Sequence, residues 1–220
     1  MNDSTPNDDV IISNAKRIIR ETSHGKVAIY SGYPAGHFDR LKLDSGIGNF
    51  AHYSSIIQKL DVFDKVASQS DGRVSIALLN ETTVIGYLAC WIPEQTERWS
   101  KLGGLMYEMG AIEVSRNFRK MGIAHTMVDL TIAGEFFDRR ITYMNGFLWH
   151  WDLDGSGLSK FEYRKMMLKF LDNWCFHEFY TNEPNIGLRQ ENLFMARIGS
   201  KVTERDRQRF RDLRFGIRNH

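Results

Sequence analysis

Residues 108–128, EMGAIEVSRNFRKMGIAHTMV, restrict the fold of this chain more than any other stretch. The segment begins as an apolar run typical of a strand, continues through a short basic turn and ends as the start of an amphipathic helix. We place the strand at residues 108–114 and the helix at residues 123–137. The sequence therefore predicts that a strand, a glycine-containing turn and a helix follow one another directly.

The turn has the composition of an anion-binding loop. The first backbone N–H groups of a helix have no partner within the helix, and the helix dipole adds partial positive charge there. Gly122 lets the backbone approach a phosphate closely. The loop so predicted consists of Arg119, Lys120, Met121, Gly122, Ile123 and Ala124. It lacks the signatures of the P-loop and of the dinucleotide-binding fold, and a basic helix start without a ligand is the alternative.

Strands and helices alternate along the rest of the chain. The predicted strands are residues 26–32, 74–80, 83–92 and 174–181, and the predicted helices lie within 37–68 and at 157–173 and 191–198. A hairpin turn is expected at Asn80 and Glu81. Residues 205–215 are interpreted as a solvated charged surface, with a docking surface for an acidic protein partner as the alternative. Elements that alternate around one sheet predict the fold class α/β (α+β), with a mixed central sheet flanked by helices.

Length and composition bound the domain organisation. A chain of 220 residues with 42% hydrophobic residues suffices for one domain with a substantial core. We expect a single domain over residues 10–220, preceded by a disordered tail at residues 1–9.

Charge, hydropathy and cysteine content exclude several classes of protein. The net charge of +2 is too small for a general nucleic-acid binder. No apolar run approaches the ~20 residues of a membrane span, and the acidic, polar N-terminus is no signal peptide. Cys90 and Cys175 lie in apolar surroundings without metal-ligand spacing, which indicates a reducing compartment and no metal site. The expectation is a cytoplasmic protein without a nucleic-acid or membrane partner.

The turn at residues 119–124 resembles the R/Q-x-x-G-x-G/A motif with which GNAT N-acetyltransferases wrap the pyrophosphate of coenzyme A. The order of hairpin, strand, turn and helix is also similar to that of the superfamily. Asn192, Ala196 and Gly199 resemble a later GNAT pattern, N-x-x-(x)-A…G, on a helix, which implies that Asn192 lies at the cofactor. The resemblance implies the GNAT fold, acetyl-CoA as co-substrate and a helical insertion at about residues 140–173.

Acetyl transfer to an amine makes three demands on a site. A lysine ammonium, with a pKa of ~10.4, must lose a proton, the thioester carbonyl must be polarised, and both reactants must be held in line. In GNAT proteins the strand before the loop splays from its neighbour. The resemblance therefore implies that backbone N–H groups from Ile112 to Val114 bind the thioester or the pantetheine arm.

Two glutamates of this strand are the candidates for the general base. Glu108 lies eleven residues before Arg119, a spacing that resembles the base glutamate of histone-type GNAT members. Glu113 points to the opposite face because side chains alternate along a strand, so only one of the two is expected to face the substrate. Burial should raise the pKa of that carboxyl above its usual ~4.3. A salt bridge at the strand edge is the alternative for each.

One position departs from the GNAT pattern. Many members place a tyrosine four residues before the glycine that ends the later motif, as the general acid for the departing thiolate. Met195 stands there in this chain. Tyr143 and Tyr180 are the remaining candidates, with a role in the aromatic core as the alternative.

From about residue 98 onward the chain resembles the AcuA-type acetoin-utilisation acetyltransferases of Gram-positive bacteria. The segments that carry the resemblance are ERWS (97–100), GAIEV (110–114), WHWDL (149–153), EYRKMM (162–167), MARIG (195–199) and LRF (213–215). The resemblance implies acetylation of a lysine on AMP-forming acetyl-CoA synthetase, which switches that enzyme off. Two alternatives stay open: a regulator that binds acetyl-CoA and inhibits its partner by forming a complex, and a GNAT enzyme for a small-molecule amine.

An aromatic segment follows in the predicted insertion. The predicted acceptor groove consists of Trp149, His150, Trp151 and Asp152. Tryptophan offers a large apolar area and an N–H donor for such a groove, and an aromatic wall with a hydrogen-bonded histidine is the alternative. Residues 152–163 imitate an EF-hand loop, but Tyr163 replaces the closing glutamate, so no metal site is predicted. Ser156 or Ser159 is expected to cap the next helix.

Overall fold

A computed structural model of the chain describes residues 16–48 and 60–217. The chain divides into two compact units. The first comprises Met1–Ile47, Ile57–Cys90 and Ala111–Ile132, and the second comprises Gly48–Ile56, Trp91–Gly110 and Ala133–His220. The single domain predicted over residues 10–220 stays a prediction, and the tail predicted at residues 1–9 lies outside the described residues.

The first unit is built mainly on antiparallel strands. They are β1 (Lys16–Thr22), β2 (Gly25–Ser31), β3 (Lys42–Leu43), β4 (Arg73–Leu79) and β5 (Thr83–Trp91). The long strands follow the order β1-β2-β4-β5, and β3 pairs in parallel with the start of β5. The predicted hairpin is confirmed, because Asn80 and Glu81 join β4 to β5 with φ angles of 49° and 62°. Two left-handed residues are what a tight hairpin turn of this kind requires.

Strand β1 corrects the sequence analysis, which placed the first strand at residues 26–32. It pairs with β2 over its whole length, from Lys16 opposite Ser31 to Thr22 opposite Gly25. Its sequence, KRIIRET, shows no alternation of apolar and polar residues, and nearly all of it is exposed. Pairing with β2, rather than a pattern of its own, makes this segment a strand.

Two helices pack on these strands. Helix α1 (Leu60–Ala67) contacts β4, and α2 (Ile123–Ile132) contacts β2 and β4. The helix predicted within residues 37–68 is confirmed over α1, while residues 49–59 lie outside the described part of the chain. Helix α2 ends before the predicted residue 137 because Gly134, with φ of 117°, leaves the helical conformation.

The second unit contains the remaining strands and helices. Strand β6 (Met106–Val114) is shared between the units, and β7 (Ile141–Gly146), β8 (His177–Glu178) and β9 (Leu193–Ile198) follow in the order β6-β7-β9-β8. Strands β6 and β7 are parallel, and the other pairs are antiparallel. The helices are α3 (Glu135–Asp138), α4 (Leu153–Ser156), α5 (Lys160–Asp172), α6 (Pro184–Gly187) and α7 (Glu204–Arg214). Short 3-10 helices lie at Arg98–Leu105, Arg116–Phe118 and Leu148–His150 along the chain. The predicted class, a mixed sheet with flanking helices, is confirmed.

Two elements predicted for the second unit are wrong, and the predicted insertion begins with a strand. Residues 193–198 form strand β9 instead of a helix. Their sequence, LFMARI, is a short apolar run whose first four residues are buried. Periodicity alone cannot decide whether such a run is a helix or a strand. The predicted insertion at about 140–173 starts with strand β7, so its helical part begins only at Leu148. The strand predicted at residues 174–181 shortens to the two residues of β8.

An aromatic cluster forms the core of the second unit. The indole of Trp99 stacks on Phe194 at 4.4 Å and lies 5.5 Å from the ring of Tyr143. Phe210 and Leu213 of α7 belong to the same cluster. The arginine-rich C-terminal segment is therefore an amphipathic helix with a buried apolar side, and not only a charged surface.

Ser159 caps helix α5, as one of the two serines predicted for this role. Its side chain accepts a hydrogen bond from the backbone of Glu162, whose carboxylate accepts one from the Ser159 backbone at 2.9 Å. Ser159→Ala is expected to lower the free energy of unfolding by about 1 kcal/mol, as the loss of a helix cap does. Urea denaturation would measure this against Ser70→Ala, a change at an exposed serine. Equal stability of the two variants would contradict the capping role.

Candidate active site

Glu108 lies in β6 beside Tyr143, its register partner in β7. Burial raises the pKa of Glu108 to about 7, and the negative charge of Glu97 adds to the rise. Hydrogen bonds from the side chains of Tyr143, Trp91 and Asn145 act in the opposite direction. A carboxyl group with this pKa is partly ionised at neutral pH and still binds a proton well, as a general base must.

Pairing between β6 and β7 ends at Glu108. The parallel register joins Met106–Glu108 to Ile141–Tyr143, whereas β7 is paired with β9 over its whole length. Within the second unit, Met109 and Gly110 continue β6 without a register partner in β7. The separation of strands that the GNAT resemblance implies thus begins at the candidate base.

Gly110 allows the Trp91 side chain to lie against β6. A Cβ atom at Gly110 would come within 2.0 Å of Cη2 and Cζ2 of Trp91. The same indole ring donates a hydrogen bond to Glu108. The absence of a side chain at Gly110 therefore leaves room for the indole ring that hydrogen-bonds Glu108.

Gly110→Ala is expected to lower the rate of acetyl transfer about tenfold at pH 7, with recovery at higher pH. The added methyl group displaces the Trp91 indole, and the loss of its hydrogen bond raises the pKa of Glu108. Initial rates measured across the pH range would show this shift. Gly104→Ala is the matched control, because a Cβ atom there meets no atom within 4 Å. An unchanged pH profile in Gly110→Ala would contradict this role of the indole.

Tyr143 connects Glu108 to a second carboxylate, that of Glu97. Its hydroxyl donates to Oε2 of Glu97 at 3.3 Å. Burial raises the pKa of Tyr143 far above its ordinary value, and the charges of Glu108 and Glu97 add to the rise, so the phenol keeps its proton. Sequence reasoning considered Tyr143 as a general acid or as part of the aromatic core, and it did not single out Glu97, although the ERWS segment contains it. Tyr180, the other candidate acid, is 85% exposed.

Glu113, the second candidate base, belongs to the first unit. It is buried and accepts a hydrogen bond of 2.7 Å from the hydroxyl of Tyr87. The Tyr87 ring lies 4.9 Å from that of Phe63 in α1, within an aromatic cluster. These surroundings fit a structural anchor, so Glu108 is the better candidate for the base.

The predicted anion-binding loop joins β6 to α2. Lys120 and Gly122 have φ angles of 64° and 71°, so two left-handed residues precede the ten-residue helix that begins at Ile123. Both residues are exposed. Such a turn, followed by a helix start, presents backbone N–H groups and partial positive charge to an anion.

Two arginines lie at this loop. Nε of Arg119 donates to the carbonyl of Val114 at 3.4 Å, which ties the loop to the end of β6. A Cβ atom at Gly122 would lie 3.6 Å from Nη1 of Arg20 in β1. Arg20 was missed because β1 itself was not predicted. The positive charges of Arg20 and Lys120 beside an exposed backbone turn fit the phosphates of coenzyme A.

Asp44 holds the chain between β6 and the loop. Its Oδ1 accepts hydrogen bonds from the backbone of Gly46 at 2.9 Å, from Asn117 at 3.0 Å and from the Ser115 hydroxyl. Burial acts to raise the pKa of Asp44, but these three hydrogen bonds outweigh it and the pKa is lowered. Ile112 and Val114 lie just before this turn in the same unit, and their contact with the pantetheine arm stays a prediction.

Asn192 has both ends of its amide engaged within the second unit. Its Oδ1 accepts from the backbone of Leu148 at 2.8 Å, and its Nδ2 donates to the carbonyl of Asn185 at 2.6 Å. The residue is buried and precedes a strand, not a helix. Asn192 therefore positions the turn at Leu148, and we do not carry it into the proposed cofactor site.

One half of the predicted acceptor groove is exposed. Trp149 is 37% exposed and stacks on Phe147 at 4.7 Å. With Leu148 and Arg189, Trp149 and the half-buried His150 line a surface pocket of about 540 Å³. Burial lowers the pKa of His150, which keeps its imidazole neutral at neutral pH.

The other half of the predicted groove is buried. Trp151 stacks on Tyr163 at 5.3 Å, and Oδ1 of Asp152 accepts from the backbone of Gly155 at 2.9 Å as the cap of α4. Both residues serve the packing of the helical segment. Asp152 thus has a structural role at the start of the EF-hand-like stretch.

Two kinds of feature are absent from residues 16–48 and 60–217. Within these ranges no helix combines the length and the apolar character needed to cross a membrane. The same residues contain no group of three or more histidine, cysteine, aspartate or glutamate side chains placed to hold a metal ion.

Comparisons with known proteins agree with the resemblance seen in the sequence. Residues 44–147 match the model of the Acetyltransferase (GNAT) family. The chain is 35% identical over 153 residues to the acetoin utilization protein AcuA of Bacillus licheniformis. The aligned region covers 69% of this chain and 72% of that protein. AcuA of Bacillus subtilis is 34% identical over 152 residues, covering 68% and 71%.

A solved structure extends the likeness. The crystal structure of an acetoin utilization protein from Exiguobacterium sibiricum 255-15 matches with a TM-score of 0.81 and 30% identity, covering 92% of this chain and 95% of that chain. Sequence and fold thus point to the same group of proteins. The chain therefore belongs to the GNAT family of N-acetyltransferases and, within it, to the AcuA-type proteins of acetoin utilization.

Proposed function

We propose that the chain transfers the acetyl group of acetyl-CoA to a lysine of AMP-forming acetyl-CoA synthetase and thereby inactivates that enzyme. The observation that supports a lysine acceptor is the setting of Glu108, a half-buried carboxyl with a pKa of about 7 and three side-chain hydrogen bonds. Such a group is suited to take a proton from an ammonium ion. The choice of the synthetase rests on the resemblance to AcuA-type acetyltransferases.

The loop between β6 and α2 would hold the co-substrate. Acetyl-CoA supplies the acetyl group as a thioester. Backbone N–H groups of residues 119–124 would bind its pyrophosphate, with Arg20 and Lys120 offsetting the phosphate charge. Backbone N–H groups from Ile112 to Val114 would bind the pantetheine arm and polarise the thioester carbonyl.

Glu108 removes the proton that keeps the acceptor unreactive. A lysine side chain with a pKa of ~10.4 is almost fully protonated at neutral pH. Glu108 takes this proton, directly or through a water molecule, and the free amine then attacks without an acetylated form of the enzyme. Oδ1 of Asn145 is buried without a hydrogen-bond partner among the described residues, which supports it as an acceptor for the ammonium group.

The departing thiol needs no acid from the GNAT tyrosine position. Met195 occupies that position, is buried in β9 and has no proton to donate. A thiol with a pKa of ~8.5 is a fair leaving group as its anion at neutral pH. The reaction can therefore proceed with proton removal from the amine as its main catalytic demand.

The pocket lined by Trp149 and His150 is the proposed acceptor groove. Leu148 and Trp149 form apolar walls that fit the methylene chain of a lysine, and burial keeps the imidazole of His150 neutral. The exposed Trp149 ring also provides the kind of surface that anchors a protein partner.

Intact-mass spectrometry of purified acetyl-CoA synthetase tests the proposal. The synthetase is incubated with this protein and acetyl-CoA, and synthetase activity is assayed in parallel. A gain of one acetyl group that tracks the loss of activity, and that Glu108→Gln abolishes, is the expected result.

Two other results would overturn the proposal in different ways. Full inhibition without a change in mass would identify a regulator that acts by forming a complex, an alternative that the buried Met195 favours. Neither inhibition nor a mass change would exclude the synthetase as the target and move the search to small-molecule amines.

A further inference from the structure

The hydroxyl group of Tyr143 lies between two carboxylates. It donates to Oε2 of Glu97 at 3.3 Å and also hydrogen-bonds Glu108, its register partner across β6 and β7. We infer that Glu108, Tyr143 and Glu97 form a proton relay that carries the proton of the acceptor amine from Glu108 to Glu97. The inference rests on the proposed function, in which Glu108 is the base.

One phenolic hydrogen cannot serve two ionised carboxylates at the same time. A phenol has a single O–H donor and an oxygen that accepts. If both glutamates are ionised, the hydrogen is given to one of them and the other is left without it. Once Glu108 is protonated, its O–H can donate to the phenol oxygen while the phenol donates to Glu97. Protonation of Glu108 thus allows both hydrogen bonds of the chain to form.

The proton transfer balances without any further reactant. An N–H bond of the acceptor ammonium breaks as an O–H bond forms on Glu108. That bond then breaks as the Tyr143 oxygen receives the proton and passes its own hydrogen to Glu97. The net result is one proton moved from the amine to Glu97, with the phenol neutral before and after. Because burial and the two charges raise the pKa of Tyr143, the two shifts must occur together, without a free phenolate.

Glu97, where the relay ends, lies at the border of the solvent. Tyr143 is fully buried, and the Glu97 and Glu108 side chains on either side of it are half-buried. Oε1 of Glu97 accepts a hydrogen bond of 3.1 Å from the backbone of the exposed Glu94, which fixes the carboxylate at the border of the solvent. The side chains of Trp91 and Asn145 also hydrogen-bond Glu108 and hold it in place. The proton can therefore leave through Glu97 while the acceptor remains at Glu108.

The relay makes a kinetic prediction for three variants. Tyr143→Phe removes the hydroxyl but keeps the ring beside Trp99 and Phe194 at 5.5 and 5.7 Å, and Glu97→Gln removes the receiving carboxylate. Above pH 8, each change is expected to lower kcat about tenfold or more with little change in KM for acetyl-CoA. The double variant should be no slower than the slower single variant, within about twofold, because both changes interrupt one path.

The relay would be overturned if the loss of kcat in the double variant were the product of the two single losses. An unchanged kcat in Tyr143→Phe would overturn it as well. Tyr180→Phe and Glu94→Gln are the matched controls, since both side chains are exposed, and they should retain full activity. Thermal unfolding of every variant separates a loss of turnover from a loss of fold.

A titration decides the inference even where acetyl transfer is not seen. Carbon-13 NMR of the glutamate carboxyls in the whole chain follows Glu108 without an acceptor. Glu97→Gln removes a negative charge and should lower the pKa of Glu108, whereas Tyr143→Phe removes a donor and should raise it. Opposite shifts support the linked triad, and shifts in one direction or none overturn it. Failure of the wild-type chain to acetylate any acceptor would overturn the proposed function instead.

Discussion

Glu108→Gln is expected to lower kcat for acetyl transfer by about 100-fold or more while KM for acetyl-CoA changes less than about twofold. Glutamine keeps the size and polarity of the side chain but cannot take a proton from the acceptor ammonium. The cofactor loop lies at the other end of the β6 sequence and is unchanged. Steady-state kinetics with acetyl-CoA and the acceptor protein measure both constants.

Two glutamine variants serve as comparisons for Glu108→Gln. Glu94→Gln changes an exposed glutamate and should retain full activity. Glu113→Gln should act mainly on stability, because Glu113 is buried against the Tyr87 hydroxyl. Loss of kcat in Glu113→Gln together with an active Glu108→Gln would assign the base to the other glutamate.

Glu108→Gln is also expected to stabilise the folded chain above pH 7. The folded pKa of Glu108 is raised from 4.5 to about 7, so between these values the folded state binds more protons there than the unfolded chain. Stability therefore falls as the pH rises through this window, by up to about 3 kcal/mol for a shift of this size. Glutamine does not titrate and removes that loss. Urea denaturation at pH 5 and pH 8 would show a smaller difference in Glu108→Gln than in the wild type, and an equal difference would contradict the raised pKa.

Gly122→Asp is expected to weaken binding of coenzyme A by about 100-fold or more. The residue has φ of 71°, where a side chain is strained, and its Cβ would lie 3.6 Å from Nη1 of Arg20. The new carboxylate would repel the phosphates and compete for this guanidinium. Isothermal titration of the protein with coenzyme A measures the loss directly.

Gly157→Asp is the matched control for Gly122→Asp. Gly157 has φ of 68° and ends α4, away from the cofactor loop in sequence, so the backbone strain introduced is similar. Both variants should lose comparable stability, and only Gly122→Asp should lose coenzyme A. Equal affinity in the two variants would show that the loop at residues 119–124 does not bind the phosphates.

Local signals in the sequence predicted the parts of the fold that local chemistry determines. The Asn80 and Glu81 turn, the strand before the loop and a serine cap, predicted as Ser156 or Ser159, each depend on a few neighbouring residues. Composition and order of elements were enough for the fold class. The spacing from Arg119, compared with that of GNAT members, made Glu108 a candidate base beside Glu113.

Features that depend on distant parts of the chain could not be predicted in this way. Strand β9 is an apolar run whose type is decided by its neighbours β7 and β8, and β1 is a charged strand held by β2. For the same reason the sequence did not reveal Arg20 beside the loop.

The surroundings of Glu108 also depend on distant residues. Glu97 and Tyr143 are far apart in sequence, and strand register together with the packing of Trp99 brings them to the candidate base.

Trp151 was predicted to line the groove and is buried instead, because its ring stacks on Tyr163 of α5. Asp152 is buried as the cap of α4 through Gly155, a local contact that the sequence analysis did not predict.

The pH dependence of kcat/KM for the lysine acceptor, from about pH 5 to about pH 10, tests Glu108 as the base most directly. If Glu108 takes the proton, the rate rises tenfold per pH unit up to about pH 7 and is level above it, because ionised glutamate and protonated lysine then react together. If the enzyme instead selects lysine that has already lost its proton in solution, the rate continues to rise tenfold per pH unit through about pH 9. The level profile is the expected result, and the continued rise would contradict it.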